Sequence, residues 1–144
     1  MKTVNQLLKA KGSHVLSIQP DATVYDALKL MAEKNVGALL VLEKGKLVGI
    51  LSERDYARKV ILKGKSSLKT PVREIMIERV MFVRPEQTIE ECMALMTEKH
   101  IRHLPVLVGD QVVGIVSIGD LVKASIEEKE FMIKQLENYI TGGR

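Results

Sequence analysis

Tryptophan is absent, and aromatic residues make up only 3% of the 144-residue chain: Tyr25, Tyr56, Phe82, Phe131 and Tyr139. Sequence-tolerant nucleic-acid binding needs stacking aromatics or a dense basic stripe. The net charge of +4 is scattered apart from RKVILKGKSSLK at 58–69, which reads as a solvated face and linker, so nucleic acid is not an expected partner. The lone Cys92 excludes an internal disulfide and fits a reducing compartment. Its position on a helix makes it a small buried hydrophobe. No apolar run approaches the roughly 20 residues that span a bilayer, and the opening MKTVNQLLKAKG is too polar for a secretory signal. A cytoplasmic protein with no membrane partner is expected. Walker loops, GxGxxG, HExxH and nucleophile–base signatures are missing. Catalytic residues, an enzyme cofactor and enzymatic activity are therefore not expected. His100 and His103 lack a third nearby His or Cys, so neither is read as a metal ligand.

What the chain does have is a repeat. Residues 15–56 recur at 80–121 with a constant offset of 65 and no gap. Identities include Pro20/Pro85, Thr23/Thr88, Met31/Met96, Gly49/Gly114, Ser52/Ser117 and Asp55/Asp120. Two copies are too few for a solenoid, so they should complete a shared core as a pseudo-symmetric pair.

Each copy reads strand, helix, strand, strand, helix. Val15–Ile18 and Val80–Val83 are short β-rich runs stopped near a proline. Thr23 and Thr88 read as helix N-caps, with Asp26 and Glu91 three residues on as in a capping box. Val24, Ala27, Leu28 and Met31 then repeat at helical spacing, as do Ile89, Cys92, Met93 and Met96. Hairpins follow at Ala38–Leu42/Leu47–Leu51 and Leu104–Val108/Val112–Val116, and further helices start at Ser52 and Ser117. Val4–Lys11 is expected to be a flanking helix, Val72–Met76 a short helical segment, and 120–140 a helix whose uneven apolar face suits a partner. The last four residues, 141–144, should fray.

The candidate site is Ser52-x-x-Asp55, repeated as Ser117-x-x-Asp120, after an apolar strand and at a helix start. This pattern is a capping box in its own right. A helix start also attracts anions, a serine hydroxyl can bond phosphate, and a carboxylate can accept two ribose hydroxyls. Capping alone and ligand binding both remain open from spacing. The segment before the second strand differs between copies: Val36-Gly37-Ala38 lets a flat ring approach closely, whereas Ile101-Arg102-His103 offers cations.

VGILSERD at 48–55 and VVGIVSIGD at 112–120, preceded by GALLVLEKGKLVGI and RHLPVLVGDQVVGI, resemble the CBS domain, named after cystathionine β-synthase. The resemblance covers about residues 4–125. It implies an α/β (α+β) fold: two pseudo-symmetric β-α-β-β-α CBS motifs, a Bateman module, packed through their sheets with flanking terminal helices. The implied division is 1–66 for the first helix and motif, 67–125 for the second motif, and 126–144 for the C-terminal helix and tail. The family commonly binds adenosine-bearing ligands in clefts between copies. Carried over, Asp55 and Asp120 would hold ribose, and Ser52 and Ser117 would contact phosphate or ribose. Arg54 would add a cation that its counterpart Gly119 cannot. Ile101, Arg102, His103 and Pro105 would face Asp55, and Val36, Gly37 and Ala38 would face Asp120. The implied function is regulatory: sensing AMP, or another of ADP, ATP and NAD(H), and signalling through a homodimer or an effector protein whose identity is unknown. The alternative is a scaffolding dimer with no ligand, in which Ser-x-x-Asp only caps helices.

Overall fold

The computed structural model describes residues 2–12 and 14–140, so the C-terminal residues expected to fray lie outside it. The chain is mixed α/β. It divides into one compact unit of residues 14–81 and 109–112, built on the first repeat, and another of 1–13, 82–108 and 113–144, built on the second.

In the first-repeat unit, β1 (Ser17–Ile18) pairs in parallel with β2 (Ala38–Glu43), which pairs antiparallel with β3 (Lys46–Ser52). Helix α2 (Val24–Lys34) joins β1 to β2 and closes this sheet's core with Val24, Ala27 and Met31. Thr23 caps α2 by accepting from the Asp26 N–H. Helix α3 (Glu53–Tyr56) leaves β3 and continues into a π turn at Ala57–Ile61. In the second-repeat unit, α4 (Ile89–Lys99) starts at a complete Thr88/Glu91 capping box and is followed by β4 (His103–Val108), paired with β5 (Gln111–Ser117), whose residues 113–117 belong to this unit. Both α2 and α4 end on a left-handed residue, Asn35 (φ 54°) and His100 (φ 55°), so His100 serves as a C-cap. Helix α5 (Ile118–Ile140) completes the unit.

The run at Val80–Val83 does not form the strand its sequence predicts; only Val83 bridges Val106. In the first repeat the Leu40 N–H donates to Leu16 O at 3.2 Å. Its counterpart Pro105 has no N–H to give, and the pairing stops there. The strand expected at Val15–Ile18 is likewise shortened to Ser17–Ile18.

A second correspondence, at an offset of 68, lies outside the 42-residue repeat. Helix α1 (Val4–Lys11) packs in the second-repeat unit, whereas the 3₁₀ turn Val72–Glu74 packs in the first. Three of their backbone contacts match atom for atom. The Val4 N–H donates to Gln87 O and the Val72 N–H to Ala22 O; Asn5 donates to Pro85 O and Arg73 to Pro20 O. Ile89 donates to Lys2 O and Val24 to Thr70 O. Val4, Leu7 and Leu8 are buried in one core, and Val72, Ile75 and Met76 in the other. This strap explains why both repeats keep a glycine in their last strand. A Cβ on Gly49 would come within 2.6 Å of Met76 Sδ, and one on Gly114 within 2.8 Å of a Leu8 methyl.

Candidate functional site

The chain leaves each last strand at a serine and enters a helix, and the two serine–aspartate pairs adopt the same local geometry. Ser52 is extended (φ −122°, ψ 164°), and its Oγ accepts from the Asp55 N–H at 3.3 Å. Asp55 Oδ2 accepts from the Ser52 N–H and hydroxyl, both at 2.9 Å. In the second repeat Ser117 Oγ accepts from the Asp120 N–H at 3.2 Å, and Asp120 Oδ2 accepts from the Ser117 N–H at 2.9 Å. Both pairs are thus reciprocal caps.

Each pair has its own copy's variable segment alongside. The Glu53 N–H donates to Gly37 O at 3.1 Å, and Ala38 is the cross-strand partner of Ser52. Correspondingly, the Ile118 N–H donates to Arg102 O at 2.9 Å. The first-repeat unit therefore gathers Gly37, Ala38, Ser52 and Asp55, while Arg54 sits on the exposed side of α3. The second gathers Arg102, Ser117 and Asp120. Arg102 is exposed, Ile101 and His103 are half-buried, and Pro105 is buried within β4, where Val83 donates to its carbonyl. Val36 is half-buried behind Gly37 and packs on the core.

The carboxylates differ in their surroundings. Asp55 is 7% exposed, with the Lys59 ammonium 3.5 Å from Oδ1. Lys59 also donates to Ile75 O at 3.0 Å, and the π turn after Asp55 carries it. Asp120 is more open. Lys11, the last residue of α1, donates to its Oδ2 and to Ile115 O. Burial pushes the Asp120 carboxyl up, but the Lys11 and Ser117 hydrogen bonds and the Lys11 charge outweigh it and hold the group below its ordinary value. Neither lysine stands out in sequence. Lys11 lies outside the repeat, and Lys59 lies in a run that reads as solvated.

Cys92 is buried, and burial, with help from Glu91 and Glu90, pushes its thiol up to about 11. It is an unreactive core residue at neutral pH. Among the described residues no cluster of three or more His, Cys, Asp or Glu is placed to hold a metal ion, and no helix is long and apolar enough to cross a membrane.

The CBS-domain family profile matches residues 12–62 and 72–127. The chain belongs to the CBS-domain family and carries two CBS domains in tandem. It is 43% identical over 150 residues to the mitochondrial CBS domain-containing protein CBSX3 of Arabidopsis thaliana, covering 98% of this chain and 73% of that protein. A CBS-domain protein from Burkholderia ambifaria MC40-6, with a suggested signal-transduction role, superposes with a TM-score of 0.85 at 53% identity, covering 88% of this chain and 95% of the other. A hexameric CBS-CP12 protein from bloom-forming cyanobacteria gives a TM-score of 0.76 at 31% identity over 85% of this chain and 70% of its own.

Proposed function

We propose that the chain is a regulatory module that binds an adenine nucleotide, AMP-like or NAD(H)-like, at its Ser-x-x-Asp helix starts and passes the bound state on by self-association or to an effector protein. The observation that carries this reading is the duplicated arrangement of a partly or wholly buried carboxylate and a serine at a helix start beside a strand-entry segment. A carboxylate offers two oxygens to adjacent ribose hydroxyls, and the helix start favours phosphate. The role is read as regulatory rather than catalytic because the chain is a tandem CBS pair and each serine Oγ is committed as a helix cap, accepting from the N–H of its aspartate. The buried, unreactive Cys92 accords with a reducing, cytoplasm-like setting.

A second reading has an observation in its favour. Asp55 Oδ2 already accepts two bonds from Ser52, so capping alone accounts for that atom. In this reading the protein is a scaffold that binds no ligand.

For the output we propose a homodimer. Along α5 the side chains of Val122, Ile126, Ile133, Leu136 and Ile140 are all exposed, at a 4- and 3-residue spacing broken only by Lys129. Such a seam matches a second helix of its own kind, and the hexameric cyanobacterial relative sets a precedent for assembly. Sedimentation velocity with and without AMP tests the proposal. A dimer whose sedimentation or association changes with AMP is expected. A monomer under both conditions at high micromolar concentration contradicts signalling by self-association.

A further inference from the structure

We propose that Lys11, at the end of the flanking helix α1, is a specificity-determining residue of the Asp120 site that selects phosphate-bearing ligands over uncharged nucleosides. The inference rests on the nucleotide reading above and deepens it.

The two strap segments show what Lys11 adds. In the first-repeat unit the strap finishes at an isolated antiparallel bridge, where the Ile77 N–H donates to Ile50 O at 2.9 Å. The equivalent carbonyl in the second repeat is Ile115 O. There the end of the strap is helical and its last-turn N–H groups are spent within the helix, so the Lys11 ammonium supplies the bond instead, at 2.7 Å. That substitution brings a mobile positive charge to Asp120, where Lys11 and the Ser117 N–H converge on Oδ2. The cation beside Asp55 has a different origin: Lys59 comes from the turn that follows the aspartate itself and sits on Oδ1.

A ribose that engages both Asp120 oxygens must compete with Lys11 for Oδ2. An uncharged nucleoside offers the displaced ammonium nothing in return. A nucleotide offers its phosphate, within the reach of a flexible four-carbon stem. Lys11 therefore opposes nucleoside binding and favours nucleotide binding at the same carboxylate. Its position, with Asp120 26% and Lys11 32% exposed at their side chains, leaves the ammonium free to move without leaving a buried charge behind.

The bland alternative is that Lys11 only caps the β5 edge at Ile115 O. The backbone amides of Ser117 and Asp120 report this site in the full chain, so NMR titrations with AMP and with adenosine separate the two. Wild type should bind AMP more tightly than adenosine. Lys11→Met keeps the aliphatic stem and should cut that preference about tenfold, the scale of one charge-assisted hydrogen bond; Lys11→Arg should keep most of it. A Lys11→Met protein that binds both ligands with an unchanged ratio overturns the inference and leaves the nucleotide reading standing. If neither ligand moves these amides in wild type, the nucleotide reading fails and the inference with it. A well-dispersed amide spectrum of each variant verifies folding.

Discussion

Asp55→Asn and Asp120→Asn should each weaken adenine-nucleotide binding at their own site by about tenfold or more, since a hydrogen bond to a charged group contributes roughly 1.5–3 kcal/mol. The substitution keeps shape and one carbonyl oxygen. That oxygen can still accept from the Ser52 or Ser117 N–H, both now at 2.9 Å, so much of the cap survives. What is lost is the second acceptor and the negative charge, which are the features a pair of ribose hydroxyls uses. Removing a cap altogether costs about 0.5–2 kcal/mol, and retaining part of it should cost less, so the variants should stay folded. At Asp55 the change also leaves Lys59 beside a neutral group, but Lys59 keeps Ile75 O as an acceptor. Calorimetry with AMP, with a thermal melt of each variant, makes the comparison. Unchanged affinity in both would return Ser-x-x-Asp to a purely capping role.

The second large effect is on stability. Leu7→Ala and Ile75→Ala should each cost about 2–5 kcal/mol, the range for truncating a buried leucine or isoleucine. Leu7 is 4% exposed and Ile75 1%, and each is a core residue of its unit although neither belongs to the 42-residue repeat. Leu7 also precedes the first residue matched to the family profile. A flanking helix that merely decorated the domain would tolerate its loss. Urea denaturation provides the measure, with Leu68→Ala, exposed and outside the α5 seam, as the control. A Leu7→Ala cost as small as the control's would show that α1 is not part of the second core.

Much of the architecture was legible because it depends on local chemistry. Thr23, Thr88, Ser52 and Ser117 all cap the helices their sequence positions announce, and Val4–Lys11 is helical over its expected length. Apolar alternation and turn residues located both hairpins. The strap was not legible, because its two copies are related by 68 residues rather than 65 and one is a helix while the other is a 3₁₀ turn. The matching hydrogen bonds and buried positions expose the kinship. The missing strand at Val80–Val83 follows from a proline more than twenty residues away in sequence, a dependence that periodicity within the strand cannot carry. At the site, the serines and aspartates were identified by their recurrence. Lys11 was missed because it is a ligand of Asp120 only through tertiary packing, and Lys59 because a π turn brings it to Asp55. The alternative meanings of Ser-x-x-Asp come from one geometry serving both purposes: the oxygen that closes the cap is also one a ribose would use.

The central claim is that this tandem CBS pair takes up an adenine nucleotide at its aspartates, and native mass spectrometry of the freshly purified full chain tests it most directly. The expected spectrum carries a non-covalent adduct with the mass of an adenine nucleotide, present on purification or appearing when AMP is added. Its occupancy should be no more than one per aspartate site, and it should be lost from the Asp55→Asn/Asp120→Asn double variant. A folded wild-type protein that retains no nucleotide under excess AMP, ATP or NAD(H), or a double variant that retains it as well as wild type, would contradict the account.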